Sequence, residues 1–404
     1  MLSESQKTVR KRRVFYIPGY DPFPPRRYRE LYRKEGEQQA AISGYHIDQT
    51  GRAAGAGYGW NIHAEMDGSK VETQYDVLVW SDLVQASMQS GVAATYWMLL
   101  RTSWLYISTG TLRRLMWLRK GPVVAAFYPI AVLLAQLLGV GLIAGGVGTV
   151  LGGMTYSVIG WIIGIAIFIV GLKFCKRHDR KLFAYYLMQD YAFSAGHKGA
   201  NPPELDQRLE DFKARVSQAL DSDVDEVLVV GHSSGAQLAV NVLADLLRER
   251  RAQKEQPALA FLSLGQAIPM VSFLPKAHKL RADLQYLSRS DALTWVDVSA
   301  PGDGCSFALC DPVSVSGVAT EDKRWPLVFS AAFTKSLRPE TWKRLKRRYF
   351  RLHFQYLCAF DRPRDYDYFQ ITAGPLTLGD RYKSRVASKS RIDVAASRYR
   401  SVSG

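Results

Sequence analysis

Cysteine is scarce, and none of the four residues (Cys175, Cys305, Cys310, Cys358) stands in a CxxC pair or at zinc spacing from a histidine. That excludes a zinc-finger framework and leaves reduced thiols in a cytosolic hydrophilic part as the expectation. A phosphate-binding glycine loop is also missing. The glycines at 51–59 lack the strand-then-helix frame of a dinucleotide motif and read as a turn region. With no metal-ligand set either, no cofactor and no metal is expected. The first residues are polar and basic with no apolar stretch beside them, so a cleavable signal peptide is not expected. The largest absence is of charge itself: from Gly121 to Leu172 there is no charged residue. This run is too long for a core strand or helix, and long enough to cross a bilayer twice.

What is present is an excess of positive charge, +16 over 404 residues. It is concentrated at the N-terminus (Lys7, Arg10, Lys11, Arg12, Arg13), on both flanks of the uncharged run, at 343–351 and in the C-terminal tail. Such a balance suits nucleic acid or an anionic membrane. Without a helix-turn-helix, zinc-finger or RNA-binding signature, membrane lipids are the expected partner and nucleic acid is not. The uncharged run divides into spans at about 122–144 and 155–172, separated by a glycine-rich break (Gly145, Gly146, Gly148, Gly152, Gly153), which suggests a tight helical hairpin. Its outer ends are basic (Arg113, Arg114, Arg119 and Lys120 before; Lys173, Lys176, Arg177, Arg180 and Lys181 after), whereas the turn is uncharged. The positive-inside bias then places both hydrophilic parts in the cytoplasm, as in a protein of a bacterial-type inner membrane. Trp97, Trp104, Tyr106 and Trp117, with Arg101, read as an interfacial helix ahead of the first span. The competing reading is a buried helical hairpin in a soluble protein.

The remainder alternates between strand and helix patterns. Residues 14–18 and 76–80 read as strands, as do 258–264, 293–298 and, more weakly, 326–333; residues 26–41 and 203–220 read as helices. This pattern implies an α/β sheet. Residues 10–85 would form the first part of its core, 86–185 an inserted interfacial helix and hairpin, and 186–376 the second part; the basic, Ser-rich tail 377–404 reads as disordered.

Glu226-Val227-Leu228-Val229-Val230 has the β-branched continuity of a strand buried on both faces. Gly231-His232-Ser233-Ser234-Gly235 follows, matching Gly-x-Ser-x-Gly, and then a helical pattern with Leu238, Val242, Leu243, Leu246 and Leu247 on one side. A serine at a sharp strand-to-helix turn needs small neighbours, here Gly231 and Gly235, and has a helix N-terminus behind it to favour developing negative charge.

Strand, Gly-His-Ser-Ser-Gly and helix together resemble the nucleophile elbow of the α/β-hydrolase superfamily. The resemblance covers roughly 10–85 and 185–375 and leaves the hairpin as an insertion into a mostly parallel sheet flanked by helices. It implies a serine hydrolase with the chain order nucleophile, acid, histidine. Ser233 takes the first role. Asp303, in a tight loop after the strand 293–298, is the first choice for the acid, ahead of Asp297 and Asp311. His353 is the single histidine beyond Asp303. The stretch before it is longer and more basic than the short loop usual in the family. The oxyanion hole would use the backbone N–H of Ser234 and one from the Gly19-Tyr20 loop, with Tyr20 as donor; Pro18 stands where the family often has histidine. His232 is expected to point away from the Ser233 hydroxyl. The implied activity is cleavage of an ester, with a lipid or other apolar acyl compound as substrate. The alternative is a catalytically inactive membrane protein that keeps the fold as an interaction module.

Overall fold

In the computed structural model, which describes residues 8–52, 57–250 and 257–404, eight strands form one sheet in the order β2-β3-β4-β1-β5-β6-β7-β8. Lys7 of the first basic cluster and residues 53–56 of the glycine-rich turn lie outside the described residues. The strands are β1 (Lys11–Ile17), β2 (His46–Gly51), β3 (Tyr58–Met66), β4 (Ser69–Val77), β5 (Glu226–His232), β6 (Ala258–Leu264), β7 (Thr294–Ser299) and β8 (Leu327–Ser330). β2, β3 and β4 pair antiparallel, and from β4 to β8 every pairing is parallel. The composition explains the difference: β3 alternates exposed and buried positions along most of its length, whereas β5 is buried throughout, as central parallel strands are. Helices cover both faces. One core lies under the helix Arg26–Ser43 and the segment 345–382; the other lies under the helices Pro203–Leu220, Gly235–Glu249 and His278–Arg289.

One buried ion pair locks the two ends of the chain to the sheet. Arg12 on β1 and Glu226 on β5 are register neighbours with fully buried side chains, joined at 2.6 Å. Arg12 also donates to the carbonyls of Gly374 (2.8 Å) and Leu376 (2.7 Å), and Glu226 accepts from the Leu378 N–H (2.6 Å).

The segment after Thr377 therefore differs from the disordered tail expected from its composition. Leu378 and Tyr382 enter the core, and Ile392 exchanges backbone hydrogen bonds with Leu309 (2.7 Å) and Asp311 (2.8 Å). Arg281 donates to the carbonyl of Ser401 at 2.7 Å. A few apolar anchors and satisfied backbone groups outweigh a polar, basic average.

Two apolar helices, Lys120–Met154 and Ser157–Arg177, form an antiparallel hairpin, each long and apolar enough to cross a membrane. In their most apolar windows only 11% and 17% of residues are buried, so most of their apolar surface is left uncovered by this chain. The glycines do not break the first helix, contrary to the expected split at 145–153; the turn falls at Thr155–Tyr156. Their role is packing instead. A methyl group at Gly160 would fall onto the Gly148 carbonyl oxygen, and one at Gly164 would lie 2.9 Å from the Ala144 carbonyl oxygen. Backbones this close require small residues at helical spacing. At ~1.5 Å per residue the first helix is about 50 Å long, beyond the ~30 Å of a hydrocarbon core. Its lower part packs instead on Val92–Ser108 and Ala184–Gly196, through Leu133 against Leu99, Tyr185 and Met188. Trp97, Trp104 and Trp117 are exposed on Val92–Ser108 and Thr111–Leu118, two helices rather than the single one expected.

Glu226→Ala would leave the Arg12 guanidinium buried without its counter-ion, a loss of about 3–5 kcal/mol. The thermal midpoint of the detergent-solubilised protein should fall by about 4–6 °C. A midpoint within about 2 °C of wild type would show that the pair is not what holds the chain ends.

Candidate active site

β5 ends at His232, and the helix Gly235–Glu249 starts three residues later. Between them Ser233 has φ = 59°, the left-handed region that a side-chain-bearing residue enters at a cost of ~1–3 kcal/mol. The Ser233 N–H is held by the Leu264 carbonyl on β6 (2.9 Å). Both flanking glycines are obligatory here. A methyl at Gly231 would lie 2.6 Å from the Ala236 Cα, and one at Gly235 would overlap the Ile17 carbonyl oxygen. Gly19, after β1, is close as well, though less tight: its methyl would sit 3.0 Å from the Ser233 Cβ.

The loop after β7 carries Asp303, which is buried. Its Oδ2 accepts from His353 Nδ1 (2.8 Å) and from the Tyr356 hydroxyl (3.0 Å), and its Oδ1 from the Cys305 N–H (2.9 Å). Burial alone would raise the Asp303 carboxyl, but the His353 charge and these hydrogen bonds hold it below the usual carboxylate range. The two competing aspartates sit elsewhere. Asp297, inside β7, accepts from Ser263 (2.6 Å), and burial pushes its carboxyl up to about 8. Asp311 caps the turn Pro312–Val315, accepting from Val313 N–H (3.0 Å) and Ser314 N–H (3.1 Å), and pairs with Lys323. Tyr356 was not anticipated. It lies three residues past His353, and nothing in its own neighbourhood marks it, because its partners are Asp303 and the Ala300 N–H (2.9 Å).

His353 ends the short helix Tyr349–His353, and three short helices fill the long basic stretch between β8 and the histidine. Its Nε2 is buried and has no hydrogen-bond partner among the described residues, Ser233 Oγ included. The His232 ring stacks beneath it, centroids 4.7 Å apart. His232 is turned toward the Tyr16 hydroxyl (Nδ1, 3.3 Å) and the His353 carbonyl (Nε2, 3.0 Å). Burial, then the His353 charge, pushes it down to about 3, so it is neutral, with its one proton on Nε2 for that carbonyl. Of the oxyanion candidates, the Tyr20 N–H is engaged by the Ser234 hydroxyl (2.9 Å), while the Ser234 N–H has no acceptor among the described residues.

Ser233, Ser234, His353, Gly19 and Tyr20 line one cavity of about 740 Å³. The base of the hairpin lines it too, through Pro122, Ala125, Lys176 and Arg177. Contact also reaches the acid loop: a methyl at Gly121 would lie 3.3 Å from Gly304 Cα. The roof is the helix Ala184–Gly196, whose Tyr186 hydroxyl donates to the Tyr20 carbonyl. Asp303, Cys305 and His353 bring ligand-type atoms within 4.8 Å of one another, but an ion there would have to replace the Asp303–His353 hydrogen bond, and burial holds the Cys305 thiol protonated.

Searches of curated proteins and of solved structures return no match. A family model, "Alpha/beta hydrolase family", matches residues 168–392, more than half of the chain. With its elbow at Ser233 and its six parallel strands, this chain belongs to the alpha/beta hydrolase family.

Proposed function

We propose that this protein is a membrane-anchored serine hydrolase that cleaves an ester through an acyl-enzyme. The observation that carries the reading is the His353 ring: Nδ1 bound to a buried Asp303, Nε2 left without a partner in the cavity that also holds Ser233 on its strained turn. Ser233 Oγ attacks the substrate carbonyl carbon while His353 Nε2 takes its proton; Asp303 keeps the proton-bearing nitrogen turned to itself and stabilises the imidazolium. The tetrahedral adduct collapses, the C–O bond to the alcohol breaks, and that alcohol leaves with the proton from Nε2. Water, deprotonated by the same nitrogen, then cleaves the acyl-enzyme to a carboxylic acid and restores Ser233. Developing negative charge on the carbonyl oxygen is met by the Ser234 N–H at the helix N-terminus, and by the Tyr20 N–H once it releases the Ser234 hydroxyl. Contacts of this kind commonly tighten only when substrate is bound, so the missing Ser233–His353 hydrogen bond is compatible with the role.

The cavity walls favour an apolar acyl group, and the shared wall with the hairpin base favours a lipid substrate drawn from the membrane. With basic residues at both outer ends of the hairpin, the catalytic part faces the cytoplasm.

A fluorophosphonate probe should label the detergent-solubilised wild type, leave Ser233→Ala unlabelled, and label His353→Ala at a rate reduced by about 10³-fold or more. Absence of labelling in folded wild type would turn the reading toward an interaction module. Asp303→Asn should lower kcat by roughly 10³–10⁴-fold, because an amide cannot favour the imidazolium. The lowered carboxyl of Asp303 stabilises the fold above the unfolded value of about 3.9 and ceases to do so as pH falls through its lower folded value. The wild type should accordingly lose its advantage in melting temperature over Asp303→Asn on acidification below about pH 4, and a gap that widens there would contradict the assignment.

A further inference from the structure

The cavity wall is mixed, with charged residues at the hairpin base (Lys176, Arg177), and one corner of it groups three polar side chains. There Asp190 and Ser194, one turn apart on the roof helix Ala184–Gly196, meet Gln237 on the helix that follows the elbow. All three border both the main cavity and a small recess of about 20 Å³ beside it, which Tyr20 and Ser234 also line. None of the three side chains makes a hydrogen bond or ion pair with the described residues. Gln237 is only 8% exposed, and its amide, without a partner among the described residues, borders the cavity. Asp190 and Ser194 are half-buried, so solvent filling the cavity can meet all three groups, and a ligand that displaces it must return those bonds or lose about 1–3 kcal/mol for each left unmade.

The donors and acceptors define that group. Gln237 offers two N–H donors and a carbonyl, Ser194 a hydroxyl, and Asp190 a carboxyl. Burial pushes the Asp190 carboxyl up to about 7, against the lowering effect of the His353 charge, so near neutrality it can both accept and donate. A set that gives and takes at each position matches hydroxyl groups rather than a phosphate, which only accepts. The recess has room for about one water-sized group.

The geometry points to this corner as a hydroxyl-binding subsite formed by Asp190, Ser194 and Gln237, and so to an ester whose alcohol part is a small polyol such as a glycerol unit. The apolar stretch of the wall, through Pro122, Ala125, Met270 and Val271, takes the acyl chain, which leaves the leaving-group side for the polar corner. This inference deepens the hydrolase reading and rests on it for the orientation of the ester; the selectivity of the corner itself does not depend on turnover.

The test is therefore a binding measurement with non-hydrolysable ligands. The affinities of 1-O-octylglycerol and of octyl ethyl ether, which lacks the hydroxyls, are compared on the detergent-solubilised full chain, for wild type, Asp190→Asn and Gln237→Leu. The glycerol ether should bind at least ~10-fold tighter to wild type, and that ratio should shrink several-fold in each variant while the ethyl ether binds to all three. Equal affinity of the two ethers for wild type, or a preference that survives both substitutions, would overturn the subsite. Tighter binding of octyl choline ether than of the glycerol ether would overturn it as well, because the corner would then select a cation. Fluorophosphonate labelling of Ser233 on the same samples separates the two ideas: a glycerol preference without labelling removes the hydrolase reading alone, and labelling without a preference removes the subsite alone.

Discussion

The turn at Ser233 is the constraint around which the rest is arranged. A serine at φ = 59° between two glycines has no room to relax: Gly231 is against Ala236, Gly235 against the Ile17 carbonyl, and Gly19 against Ser233 itself. The strain persists because β5 is paired on both sides, with β1 and β6, and because the helix Gly235–Glu249 buries almost every residue of its first three turns. The cost of the turn is thus spread over the central sheet, as strained functional residues require. Its return is positional: a hydroxyl raised above the strand ends, beside a helix N-terminus, in the crevice where open parallel sheets hold their ligands.

The hairpin is not an appendage to that site. Its first helix starts against the loop of the catalytic-acid candidate, at Gly121 and Gly304, and its base forms part of the cavity wall with Pro122, Ala125, Lys176 and Arg177. The helix that follows it, Ala184–Gly196, roofs the cavity and supplies the polar corner. Whatever holds the hairpin therefore also bears on the cavity's shape.

Much of this was legible in the residues. The strand at Glu226, the Gly-x-Ser-x-Gly turn and the helix after it form a local unit whose periodicity and glycine placement survive any tertiary context, and the order of Ser233, Asp303 and His353 could be read along the chain. The glycine-rich stretch was misjudged for a physical reason. Glycine weakens an isolated helix, but in a helix pair the same residues allow backbones to meet, as Gly148, Gly160 and Gly164 do. The tail was misjudged because composition averages over the few positions, Leu378, Tyr382 and Ile392, that dock it.

By itself the sequence determined the elbow, the α/β alternation and the pair of long apolar helices, all of which follow from patterns among residues that neighbour one another along the chain. Only the tertiary structure decided that Asp303 rather than Asp297 or Asp311 meets His353, that Tyr356 completes the carboxylate's contacts, and that Asp190, Ser194 and Gln237 share a corner of the cavity. It also brought Arg12 to Glu226, 214 residues away. The reason is common to these cases. A buried carboxyl, amide or guanidinium takes its role from the groups that replace its water, and the chain supplies those groups from distant segments.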